Sequence, residues 1–202
     1  MFVRKQLSPA VSRRIVCGNL GIICSTFFIP QAGLAEPNKL LALRPEVRIK
    51  QNHRFVASDE FKLGGQIGGR LLSAVGWNFA RHFLPVLEEN VPEASITAAT
   101  LRYTACDQSL LEEIGGEDNI CIPYLAYIHQ LMADAGPSHV DGQSNFAYMR
   151  SPSNPRVWAI HWTVNRANEW NIGAVFVPHP DPAMDWRAGA KLFVPASIGT
   201  FS

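Results

Sequence analysis

Between Val157 and Val164 the chain alternates without a break, with Trp158, Ile160, Trp162 and Val164 on one side and Val157, Ala159, His161 and Thr163 on the other. Successive side chains of a strand point to opposite faces, so this period of two constrains the fold more than any other feature. The polar stretch Asn165–Asn171 turns the chain into a second, almost wholly apolar run, Trp170–Val177, and Lys191–Val194 supplies a third. Three such runs predict an antiparallel β-meander at the C-terminal end, with helices packed against one face.

The helices are expected upstream. Asp107–Ile114 reads as a short helix stopped by Gly115-Gly116. Pro123 opens a better one, with Leu125, Ile128 and Met132 on its buried side, ended by Gly136-Pro137. Phe61, Ile67, Leu71, Val75, Phe79, Phe83 and Val86 fall close to a helical stripe. The pairs Gly64-Gly65 and Gly68-Gly69 leave open whether that segment is helix or a loop leading into one. Residues 96–104 would form a short strand or helix, and Val47–Val56 a strand with one solvated side. The expected fold class is therefore α+β: a single domain with an antiparallel C-terminal meander against two or three helices.

Residues 1–35 read differently from the rest. Arg4, Lys5, Arg13 and Arg14 precede an apolar run from Ile15 to Ile29, and small residues lead to a cut after Ala35. Charge, apolar core and small-residue exit in that order form an export signal. Ser12-Arg13-Arg14 also resembles the start of a twin-arginine signal, although Ile15, Val16 and Cys17 follow it. The apolar run is short for a membrane span and no block of positive charge follows it, so no stable span is expected after removal. The expected product is a periplasmic or secreted domain of residues 36–202. The signal carries four of the 18 basic residues and none of the 17 acidic ones, leaving 14 against 17, a net charge of −3. No basic cluster remains to track a phosphate backbone, which argues against a nucleic-acid partner.

Export also sorts the cysteines. Cys17 and Cys24 leave with the signal, and Cys106 and Cys121 remain. An even pair in an oxidising compartment predicts a Cys106–Cys121 disulfide. The alternative is chemical: Cys106 precedes the helix from Asp107, where free backbone N–H groups favour a thiolate, and His161 would serve as its base in a Cys-His hydrolase.

A second chemistry is metal-dependent. His139 and Asp141, and His179 and Asp181, each place an imidazole two residues from a carboxylate. His139, His161 and His179, with Asp181 able to replace one, would make a zinc site with an open position. Glu169 or Asp185 would then take a proton from zinc-bound water, for hydrolysis of an amide or ester.

Recognition without chemistry is the leading expectation. Four of the five tryptophans lie from residue 158 onwards. Trp170 beside Glu169, and Trp186 between Asp185 and Arg187, are placed to be half exposed, and Tyr148 lines the same region. Such rings stack on a sugar or anchor a protein. The partner would be an envelope or extracellular small molecule, glycan or protein.

Overall fold

The computed structural model describes residues 39–135, 143–152, 154–177 and 185–196. The export-signal expectation lies outside the described residues. In chain order the elements are β1 (Leu41–Ile49), β2 (Asn52–Val56), α1 (Ala57–Glu60), β3 (Gln66–Ile67), β4 (Arg70–Val75), α2 (Trp77–His82), β5 (Leu87–Val91) and β6 (Ala94–Leu101). There follow α3 (Asp107–Ile114), α4 (Glu117–Ile120), α5 (Leu125–Asp134), β7 (Asn145–Ser151), β8 (Asn154–Val164), β9 (Trp170–Phe176) and β10 (Lys191–Pro195).

Eight strands form one sheet in the order β1-β6-β10-β7-β8-β9-β4-β3, and β2 pairs with β5 in a separate two-stranded sheet. The large sheet is mixed, because β10 runs parallel to β7 and β4 parallel to β9. The period of two in β8 sorts its residues onto two buried faces. Trp158, Ile160, Trp162 and Val164 join a core with Phe61, Phe79, Phe83, Leu125, Ile128 and Met132, contributed from α1, α2, α5 and the segments beside them. Val157 and Ala159 point the other way, into a second core with Leu110, Leu111 and Ile114 of α3 and Ile120 of α4. Full burial of such side chains contributes about 1.5–3 kcal/mol each, so both faces drive folding.

The edge strand β1 serves both cores. Leu41 belongs to the α3 side, while Ile49 belongs to the other. Both numbers are odd, so a regular strand would put the two on the same face. A register shift between Leu43 and Glu46, with Pro45 inside it, reverses the parity.

The helices obey local rules. In α3, Asp107 complements the helix dipole in the first turn, and Gly115 ends the helix in the left-handed region with φ 86°. In α5 the residue before the helix gives no side-chain cap. Glu88 of β5 supplies it instead, accepting the backbone N–H of Leu125 at 2.7 Å and of Ala126 at 2.9 Å. Burial pushes the Glu88 carboxyl above its usual range, against the effect of those two bonds. Among the described residues no helix is long and apolar enough to cross a membrane.

Three expectations about the fold change. Helices cover both faces of the sheet rather than one. The meander is β7-β8-β9, and β10 leaves it to lie between β6 and β7, antiparallel to β6. Residues 61–86 are neither one long helix nor a loop leading into a helix near Gly69: they form the hairpin β3-β4 and the short α2. The glycines account for this, since Gly64, Gly68 and Gly69 all have positive φ. At Gly68 a Cβ would also run into the Ala133 carbonyl of α5, so the turn can approach that helix only with glycine. The helices at Asp107–Ile114 and from Leu125, and the shared face of Leu125, Ile128 and Met132, are as expected.

Candidate functional site

The strongest polar constellation in the interior is centred on Asp107, at the start of α3. Its Oδ1 accepts the Tyr148 hydroxyl at 2.6 Å and the Trp186 indole N–H at 2.8 Å. All three side chains are buried. Burial, then the adjacent Asp107 carboxylate, hold the Tyr148 phenol well above its usual range. Trp186 is fixed further by stacking on Phe146, with ring centroids 3.9 Å apart and planes 4° from parallel. Its backbone exchanges bonds of 2.9 Å with Ala105 in both directions. Tyr148 and Trp186 are therefore parts of the core that anchor α3 to β7, and they present no open ring face.

Cys106 sits immediately before this helix. Its thiol shares a 3.3 Å hydrogen bond with the Ser109 hydroxyl. That bond, together with the Ser109 and Gln108 backbone N–H groups, lowers the thiol pKa, and Asp185 opposes the shift. Cys121 is the converse: burial pushes it up to about 11. The Ile122 N–H bonds the Tyr148 carbonyl at 2.7 Å, and Cys121 forms a parallel bridge to Tyr148, which ties that thiol to β7. Both cysteines are free. The expected Cys106–Cys121 disulfide is corrected accordingly: each thiol is anchored in its own surroundings.

His161 projects from β8 onto the α3 side of the sheet, opposite Gly173 of β9. A Cβ at Gly173 would lie 2.6 Å from His161 Nε2, so the imidazole lies directly over that glycine. Its ring is 6.2 Å from that of Trp186. Burial lowers its pKa, which keeps it neutral near pH 7. Trp186 thus has the His161 ring on one side and bridges through its backbone to Ala105, the residue before Cys106.

The metal candidates are only partly within view. His139, Asp141, His179 and Asp181 lie outside the described residues. Among the described residues no three His, Cys, Asp or Glu side chains gather as a metal would require. Glu169 and Asp185, the two candidate bases, are at separate places. Glu169 belongs to the β8–β9 turn, where its carboxylate accepts the Asn165 amide at 3.0 Å and Asn165 Oδ1 accepts the Glu169 N–H at 3.0 Å. Asp185 lies beside Cys106.

Trp170 is fully buried rather than half exposed. The hairpin β3-β4 folds over it: its indole N–H donates to the Ile67 carbonyl at 3.0 Å, and the Arg70 guanidinium lies 5.1 Å above the ring. Arg70 is itself buried and donates to Asn168 Oδ1 and the Ala135 carbonyl, both at 2.9 Å.

The exposed aromatic surface is elsewhere, around α2. Trp77 is 69% exposed, and Arg81, one turn on, places its guanidinium 5.0 Å from the ring centre. The helix is pinned to the sheet by Asn78, whose amide donates to the Ala174 carbonyl at 3.2 Å. Residues 85–87, shared by the linings of two concavities, form the ridge between them. One, of about 360 Å³, is lined by Arg54, Val56, Ser58 and Leu84 with the ridge. The other, of about 220 Å³, is lined by Arg81, His82 and Pro152 with the ridge. Leu87 on that ridge is 54% exposed. Below it the His82 ring lies 4.6 Å from Trp158. Trp158 is buried, and its indole N–H has no hydrogen-bond partner.

Sequence reasoning did not single out this surface, because attention in residues 60–90 went to the apolar stripe, between whose residues Trp77 and Arg81 lie. The signal available was their spacing of four, which places an aromatic ring and a cation together on one side of α2. No protein-family model, curated protein or solved structure matches the chain. Function is therefore argued from the α+β fold, its mixed sheet and these surfaces alone.

Proposed function

We propose that this chain is an exported binding domain of the cell envelope or extracellular space, and that it meets its partner through the surface of α2 and the ridge at residues 85–87. The observation that carries the reading is Trp77: a tryptophan 69% exposed, under the guanidinium of Arg81, which also lines one of the two concavities. Large rings are normally buried, and an exposed one next to arginine is the composition of interface anchors. The N-terminal 35 residues support export, and a mature protein beginning at Glu36, found by mass spectrometry, would establish it. Glycan arrays and random peptide libraries probed with the protein and with Trp77→Ala test the binding face. Hits that Trp77→Ala loses are expected; an absence of hits for both proteins would sink the proposal.

A second reading keeps Cys106 as a nucleophile with His161 as its base. It is supported by a free thiol of lowered pKa at a helix start, next in sequence to Ala105, which bridges to the tryptophan that the His161 ring approaches. It requires faster alkylation of Cys106 than of Cys121 by iodoacetamide at neutral pH, and ester hydrolysis that Cys106→Ala abolishes. Hydrolysis unaffected by Cys106→Ala would end it.

A further inference from the structure

Building on the binding-face reading above, we infer that the occupant of the α2 surface is an acidic, apolar peptide segment of a partner protein. The argument is one of charge and shape. The residues lining the two concavities include Arg54, Arg81 and His82 and no carboxylate; the remainder are Val56, Ser58, Leu84, Pro85, Val86, Leu87 and Pro152. Neither Arg54 nor Arg81 takes part in an ion pair among the described residues. Arg81 instead lies over Trp77. Arg54 stands opposite Glu89 on the β2-β5 pair, where no salt bridge forms.

Apart from Glu89, two nearby carboxylates are committed to other partners. Glu88 caps α5, and Glu60 lies 3.4 Å from His129. The surface thus offers the guanidinium groups of Arg81 and Arg54, the latter with Glu89 across the ladder, flanking an apolar ridge, and no carboxylate lines either concavity. An anionic partner gains at such a surface, and a cationic one is repelled.

Shape then separates peptide from other anions. Small-molecule sites are usually enclosed clefts of about 300–1,000 Å³. Here one concavity is below that range and the other near its lower end, and both are open. They are sized to take individual apolar side chains on either side of the ridge. A membrane surface would be met by a convex apolar face, whereas this one is furrowed. A peptide with leucine-like residues for the furrows and Asp or Glu for the arginines satisfies all of these features at once.

The test is selection from a random peptide library on the protein, followed by anisotropy titration of the synthesised winners. Parallel sedimentation with phosphatidylglycerol vesicles probes the lipid alternative. Sequences enriched in Asp or Glu with apolar residues are expected. Their binding should weaken with salt and fall about tenfold in Arg54→Glu and in Arg81→Glu, while far-UV circular dichroism of both variants stays unchanged. Neutral or basic winners that still need Trp77 would overturn the acidic occupant and leave the binding face standing. Vesicle binding without peptide binding would overturn the peptide. Failure of both probes would remove the binding face itself.

Discussion

Replacing Asp107 by alanine deletes the acceptor on which two buried donors converge. The Tyr148 hydroxyl at 2.6 Å and the Trp186 indole at 2.8 Å would both lose their partner. Hydrogen bonds to a charged group contribute about 1.5–3 kcal/mol each, and a buried donor left unpaired keeps its full desolvation cost. Loss of a carboxylate from the first turn of α3 adds about 0.3–1 kcal/mol. Asp107→Ala should therefore cost about 3–5 kcal/mol, a large share of the roughly 5–15 kcal/mol that holds a domain together. Urea unfolding followed by tryptophan fluorescence and circular dichroism measures it, with the slope against urea unchanged.

Tyr148→Phe removes one donor and supplies the control. In its background Asp107→Ala should cost less, by about 1–3 kcal/mol, because the two groups share one bond. A loss below about 1 kcal/mol for Asp107→Ala would refute the reasoning, as would strict additivity in the cycle. The first result would mean that water replaces the carboxylate, and the second that the Tyr148 contact carries no energy.

Two further outcomes follow from the packing and charges. Gly173→Ala would push a methyl to 2.6 Å from His161 Nε2 and should destabilise by about 1–3 kcal/mol, with part of the loss recovered in a His161→Ala background; equal cost in both backgrounds would show that the imidazole is not the obstacle. Stability should also fall as pH drops below 6.5, because burial lowers the folded-state pKa of both His129 and His161 and the unfolded chain then binds more protons. For His129 the Glu60 carboxylate at 3.4 Å works against this, but burial beside Phe55 and Phe61 prevails. Urea midpoints measured between pH 7.5 and 5.5 should decline, and less steeply in His129→Gln and His161→Gln; a rise on acidification would contradict the assignment.

The elements that were legible in the sequence are those set by nearest neighbours. The alternation of Val157–Val164, the helix start at Asp107 and the stop at Gly115 each depend on a few residues and their own backbone geometry. Elements set by distant partners were misread. The apolar spacing of Phe61 to Val86 is close to helical, yet Gly64, Gly68 and Gly69 adopt conformations that a helix excludes. Trp170 and Trp186 have polar neighbours in sequence, and that suggested exposure. Ile67, Arg70 and Asp107, all far away along the chain, supply the contacts that bury them.

The cysteines show the same division. Two thiols in a chain read as exported favour a disulfide on composition, but Ser109 and the bridge to Tyr148 give each a separate environment. Conversely, Trp77 was not singled out and is the most exposed large ring of the described residues. A side chain's neighbours in sequence report the face it shares with them, and do not report what covers that face.

By itself, then, the sequence determined that the domain is α+β, that β8 alternates between two faces, and where α3 begins. These are consequences of backbone periodicity, capping and turn chemistry, all short-range. The tertiary structure alone decided that β10 inserts between β6 and β7, that both sheet faces carry helices, and that Asp107 gathers Tyr148 and Trp186. It also decided that Trp77 and Arg81 stand in the open. Strand order and burial arise from contacts between residues tens of positions apart, and no local pattern encodes which of those contacts close.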